Sequence, residues 1–293
     1  MKMRLVTCTE GIADWFGDKE AVKLIKDAGF DAADYSMFGM TDKSSPLAHD
    51  GWEAYIKDLK AYADSLNFTF RQGHSPFPCY ARDDMAYTQM VGPLVRRSVE
   101  IAGMLGIKNL VIHPTAPTRM PLGADLKEFN MEFYRSLLPL AEKWNVKICL
   151  ENMWGYDSKR GYIIPNVCSF GRDLADYLDT LGDEHFTVCL DLGHSGLVGE
   201  EAADAIYALG GERLGALHVH DNDYKGDTHT LPYYGKMDWD AITKALSDVG
   251  YKGDFTYEAS GFYRNLPHDK DLVLSALRYM HDMGRYLIKK IEG

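Results

Sequence analysis

His74, His113, Glu151, Asp191, His220 and Glu258 each close a short apolar run, and the gaps between them are 39, 38, 40, 29 and 38 residues. Within this group Glu151, Asp191, His220 and Glu258 make a hard, oxygen-rich donor set of the kind that holds Mn²⁺, the first expectation, or Mg²⁺, with Co²⁺ or Zn²⁺ also suited. Four protein donors leave positions open on a six-coordinate ion for substrate oxygens. Collected without a cation, the same groups would desolvate and repel one another at a cost of several kcal/mol. The residue types therefore point to a metalloenzyme, provided that the fold brings them together.

The spacing says how. A strand, a crossover helix and two loops consume roughly 37 residues, and a barrel of eight such units needs about 250. Eight compact β-branched or apolar runs fit: 3–8, 30–35, 68–73, 109–113, 146–151, 186–191, 214–220 and 254–258. Between them lie stretches of helical periodicity, such as Trp52, Ile56, Leu59 and Ala63, or Leu277, Met280, Leu287 and Ile291. Gly29, Gly106 and Gly250 stand where helices end ahead of a strand, as left-handed caps of short turns. The long irregular segments 36–50, 74–82, 113–124, 152–167 and 221–237 follow strands instead. The expected fold is α/β, a single-domain (β/α)₈ TIM barrel over residues 1–293, with its active site at the C-terminal ends of the strands.

Composition narrows the function classes. With 46% hydrophobic and 26% charged residues the chain can bury a sizeable core, and no linker or low-complexity run divides it. A net charge of −11 disfavours nucleic acid and anionic membranes as partners. Neither a membrane-crossing apolar run nor a signal-peptide core is evident after MKMRLVTC, so a cytoplasmic location is expected. The five cysteines include no CxxC pair. Cys149 and Cys189, each two residues before an acid, are expected on the same side of the barrel as Glu151 and Asp191, as small core fillers rather than a disulfide.

LENMWG at 150–155, LDLGHSG at 190–196, HVHDND at 218–223 and YEAS at 257–260 resemble signature segments of the xylose-isomerase-like barrel superfamily, which contains sugar isomerases and epimerases, inosose dehydratases and endonuclease IV. The resemblance spans residues from about 5 to 260. It implies that Glu151, Asp191, His220 and Glu258 hold the ion, and that Glu151 and Glu258 also serve as base and acid. Of the two histidines in HVHDND, the family pattern of a ligand, a two-residue spacer and an acid selects His220-Asp221-Asn222-Asp223, leaving His218 as a core histidine one layer deeper. His194, in the D-x-x-H position, is expected to contact substrate. In endonuclease IV the counterparts of His74, His113, Asp227 and His229 complete a three-zinc site; in the sugar-handling reading they line the substrate pocket.

Aromatic side chains at Trp15, Phe16, Trp154, Tyr156, Phe262 and Tyr263 are expected around the mouth, with Trp154 against the ligand. Lys159, Arg160 and Arg264 are exposed bases that could meet an anionic substituent. A Gly-rich phosphate cradle is missing. The leading expectation is a divalent-metal-dependent sugar or sugar-phosphate isomerase or epimerase that moves a proton through an enediolate. Its partner is then a small sugar or polyol, with a homo-oligomer open. Asp157 stands where known ketose epimerases have a Glu six residues after the strand-five ligand, so their substrate does not carry over. The alternatives are an endonuclease-IV-like multi-zinc phosphodiesterase, and a dehydratase or lyase acting on keto-sugars. Loops one to three oppose the phosphodiesterase, since Lys43 and Arg82 are outnumbered by Glu10, Asp14, Asp18, Asp42, Asp50 and Asp83.

Overall fold

A computed structural model describes residues 2–80, 85–115 and 125–293. Arg82, Asp83 and most of the predicted loop 113–124 lie outside the described residues. The strands are β1 (Leu5–Cys8), β2 (Ala32–Ser36), β3 (Phe70–His74), β4 (Asn109–Val111), β5 (Lys147–Glu151), β6 (Trp154–Asp157), β7 (Tyr162–Pro165), β8 (Phe186–Asp191), β9 (Leu214–His218) and β10 (Phe255–Tyr257). Eight of them form one parallel sheet in the order β10-β1-β2-β3-β4-β5-β8-β9. The ring closes where Val219 bridges Tyr257 in parallel, with Val219 N–H donating to Thr256 O at 2.9 Å. This is the expected eight-stranded barrel, and each predicted run overlaps one of its strands, with β2 and β3 each extending one residue further.

The strands read as nearly continuous apolar runs because both faces are covered, one by helices and one by the barrel interior. Every residue of β8 is buried. Inside, Val111, Cys149, Cys189 and Ala216 make a small apolar layer, and all five cysteines are free. Outside, the helix Trp52–Ser65 buries Ile56, Leu59 and Ala63, and the helix Lys270–Glu292 buries Leu277, Met280 and Leu287. Asp125, Asp238 and Asp269 start helices by accepting from amides two and three residues on. Gly29, Gly106 and Gly250 have φ of +103°, +78° and +65°, the left-handed conformation expected of those caps.

The segment 152–167, expected to be irregular, contains the antiparallel hairpin β6–β7. Its turn is built by Asp157, whose side chain accepts from the amides of Lys159 and Arg160 at 3.0 Å, and by Gly161 at φ +77°. The loop after β9 is organised by Asp221. This fully buried carboxylate accepts from the amides of Asn222, Tyr233, Lys236 and Met237 and from Trp239 Nε1. Removing it strands several buried donors, so Asp221→Ala should cost about 3 kcal/mol or more in denaturant unfolding. A loss below about 1 kcal/mol would mean that the loop is held by something else.

Candidate active site

The C-terminal ends of the strands deliver a dense set of buried titratable groups. β5 ends on Glu151 (1% exposed) and β8 on Asp191 (0%). Asp191 and His218 are register partners across β8 and β9, because one residue, Gly215, is skipped between the pairs Val188–Leu214 and Cys189–Ala216. His218 thereby comes level with the acids, while His220 stands two residues beyond. Glu151, Asp191, His218 and Glu258 offer ligand atoms that all lie within 4.8 Å of one another. In that set of four His218 joins the three acids, whereas the expected His220 belongs to a neighbouring group. His218 Nδ1 is 2.7 Å from Glu151 Oε1 and 3.3 Å from Glu258 Oε2. The spacer pattern that favoured His220 is met equally by His218-Val219-His220-Asp221, and the ladder register brings His218 level with Asp191.

His220 is not remote. Its Nε2 lies 3.0 Å from both Asp191 oxygens, and its ring stacks on that of His229 at 4.0 Å. The ring also covers Gly193, where an added Cβ would sit 2.0 Å from His220 Cε1. Glycine is thus required between Asp191 and His194. Gly193→Ala is expected to displace the imidazole, which would show as a shifted His220 ring resonance in NMR; an unmoved ring would contradict the packing.

His194, His220, Asp227 and His229 make a second group within 4.8 Å, and His74, His113 and Glu151 a third. Glu151 belongs to two of the three. In the third group His113 Nε2 is 2.7 Å and His74 Nε2 3.4 Å from Glu151 Oε2, and the two imidazole nitrogens are 2.9 Å apart. In the second, Asp227 Oδ2 is approached by His194 Nε2 at 3.3 Å and His229 Nε2 at 3.1 Å, and it accepts from Trp154 Nε1 at 3.2 Å. His194 Nδ1 donates to Asn152 O at 2.8 Å, and its backbone N–H donates to Asp191 Oδ1 at 2.7 Å.

Burial and pairing push these groups apart electrostatically. Burial opposes the charge on Glu151, but His218 and His113 outweigh it and hold the carboxyl well below the usual range. Burial dominates at Glu258, raising it to about 7 against the pull of His218 and His229. Burial also lowers His113, to about 4, despite Glu151. At His229 burial is overcome by the hydrogen bond with Asp227, and the imidazole rises to about 10.

A cleft of about 540 Å³ opens over this floor and reaches His113, Glu151, His194, Asp227, His229 and Glu258. Its aromatic walls are Phe38, Phe77 and Trp154, with Arg264 at the rim. Of the aromatics expected at the mouth only Trp154 lines the cleft. Tyr263 is buried with its hydroxyl on Glu10 O, Trp15 stacks on His268, Phe262 packs on Tyr279, and Tyr156 is exposed in the hairpin. Phe38 and Phe77 went unnoticed in the sequence, each lying in a loop without periodicity. Lys159 and Arg160 sit in the hairpin turn, where Arg160 meets Asp157 and the Tyr162 hydroxyl.

Residues 22–283 match the xylose isomerase-like TIM barrel family. The chain belongs to this family. The chain is 28% identical over 169 residues to the uncharacterized protein y4fM of Sinorhizobium fredii, covering 56% of this chain but only 51% of that protein. It is 24% identical over 254 residues to D-psicose 3-epimerase of Enterocloster bolteae, covering 82% of this chain and 76% of that enzyme. Among solved structures, the IolI protein with a bound zinc atom superposes with a TM-score of 0.74 at 17% identity, over 99% of both chains. Among the described residues no helix is long and apolar enough to cross a membrane.

Proposed function

We propose that this protein, as one barrel domain, is a divalent-metal-dependent isomerase or epimerase of a small sugar. The observation that carries the reading is the convergence of Glu151, Asp191, His218 and Glu258 within 4.8 Å at the floor of the cleft. The fit to a cation is chemical. Glu151, Asp191 and Glu258 are buried carboxylates that meet histidines and no Lys or Arg among the described residues. Three buried carboxylates gathered so closely repel one another and resist desolvation, a cost that a bound ion removes. Glu151, Asp191, His218 and Glu258 would hold it, and three carboxylates with one imidazole suit Mn²⁺, or Mg²⁺, Co²⁺ or Zn²⁺. When bound, such an ion polarises a substrate carbonyl and so acidifies the neighbouring C–H.

The protein's own groups do the rest. Glu151, kept ionised, takes the carbon-bound proton, and Glu258 is the group that returns one from the other side. His113, His194, Asp227 and His229 line the cleft and meet the sugar hydroxyls, while His74, buried and off the cleft wall, holds His113 at 2.9 Å between their Nε2 atoms. Trp154, Phe38 and Phe77 cover the apolar sugar face and exclude water. A side cavity of about 440 Å³ shares Glu10 and Phe38 with the cleft and is lined by Asp14, Asp18 and Asp42 with no Lys or Arg, favouring an uncharged sugar over a phosphate. The epimerase and isomerase names among the relatives, D-psicose 3-epimerase and inosose isomerase, agree with this class. We place the protein in the cytoplasm, with the oligomeric state open.

A ligand set that must shed protons ties binding to pH. Glu258 ligates only when ionised, so below its value of about 7 cation affinity should fall by at least about tenfold per pH unit, and each ion should release at least one proton. Calorimetry in buffers of different ionisation enthalpy reads this. Affinity flat between pH 6 and 8, without proton release, would remove Glu258 from the site.

The three ligand groups also favour one other reading, a multi-zinc phosphodiesterase in which His74, His113, Asp227 and His229 are ligands too. Elemental analysis of the purified protein separates them. One Mn or Mg per chain supports the isomerase, whereas two or three Zn supports the hydrolase.

A further inference from the structure

Strand β2 contributes a buried carboxylate that no role above uses. Asp34 is 1% exposed and has no Lys or Arg partner among the described residues. Its Oδ2 accepts from Gln72 Nε2 at 3.1 Å and lies 3.7 Å from His218 Nε2, while its Oδ1 has no hydrogen-bond partner. The same is true of His218 Nε2. An unmatched imidazole nitrogen and an underused carboxylate therefore face each other in a dry interior, where both are costly. On the opposite edge of the ring, His218 Nδ1 points at Glu151 and Glu258. Gln72 fixes the acid from behind: its amide nitrogen also reaches Leu217 O at 3.3 Å, and its amide oxygen accepts from Thr256 Oγ1 at 3.3 Å.

We infer that Asp34 is a positioning residue: when a cation takes His218 Nδ1, the Asp34 carboxylate closes the 3.7 Å gap to accept the Nε2–H and so keeps Nδ1 on the cation. A neutral imidazole carries one N–H, and the nitrogen that loses it is the one that can ligate. Carboxylates that hold the far N–H of a ligating histidine fix its tautomer and ring angle, and their loss typically weakens metal affinity by about 10–100-fold. The inference rests on the cation site proposed above. It adds a member from a strand that supplies no ligand to that site, and it names the ligating atom.

The test measures Mn²⁺ affinity by calorimetry for the full chain and for Asp34→Ala, Asp34→Asn and His218→Ala, alongside ¹⁵N NMR of the histidine rings with Zn²⁺ bound to the unmutated protein. Asp34→Ala should weaken Mn²⁺ binding by about 10–100-fold. Asp34→Asn keeps an acceptor facing His218, since Gln72 holds the oxygen on that side, and should recover most of the loss. In the NMR spectrum, His218 should carry its proton on Nε2 and its metal on Nδ1. The spectrum uses the unmutated chain, so it decides even if a variant fails to fold. Asp34→Ala binding within about twofold of the unmutated protein, or metal on Nε2, overturns the role of Asp34. Full affinity in His218→Ala overturns the cation site itself, and the inference with it.

Discussion

Glu151→Gln and Glu258→Gln, each with the cation still bound, should lose about 10²–10⁴ in turnover on whichever sugar is found to react, because positioned acid and base groups contribute on that order. Gln keeps an oxygen that can ligate but cannot take or return a proton. The two variants should also differ. Glu151 is held ionised by His218 and His113, whereas Glu258 sits near 7 through burial. The fall of cation affinity below about pH 7 that reports Glu258 should therefore vanish in Glu258→Gln and survive in Glu151→Gln. Near-normal turnover by both variants, with metal content checked, would take the proton-transfer roles away from these residues.

Asp191→Ala and His218→Ala should weaken cation binding by well over tenfold, since even an outer partner is worth about 10–100-fold and these two offer donor atoms directly. Asp191 has a second task. Its Oδ1 accepts the His194 N–H at 2.7 Å and caps the short helix Leu192–Leu197, so Asp191→Ala should also lower the melting temperature. His220→Ala separates the register of the structure from the pattern in the sequence. It removes a ring that touches Asp191 from outside the four, and is expected to cost less cation affinity than His218→Ala does. The reverse order would restore His220 to the place that the sequence pattern assigned to it.

The barrel was legible because its signals are local and repeated. Runs such as FTVCLD and LGALHVH announce strands, and DAGF and DVGY announce caps whose left-handed glycines the structure contains. The acids at strand ends were legible for the same reason, since a strand that ends on Glu151 or Asp191 has one place to put it. Choosing between His218 and His220 was not possible from alternation, which points both inward. Which of them stands level with Asp191 depends on the residue skipped at Gly215, a property of the β8–β9 ladder rather than of either strand alone. The hairpin β6–β7 was missed because it is short and only partly buried, so it has no strong apolar period. Asp34 was hidden by its surroundings: in AADYS it reads as an ordinary strand residue, and only the closed barrel sets it across from His218.

The central claim is that this site moves a proton on carbon, and incubation of the Mn²⁺-loaded protein with a panel of ketoses and aldoses in D₂O tests it most directly. The account predicts deuterium at a single carbon of at least one unphosphorylated sugar, seen by NMR and abolished in Glu151→Gln. No exchange with any sugar, together with zinc-dependent cleavage of abasic DNA that needs His74 and His229, would contradict it and establish the phosphodiesterase in its place.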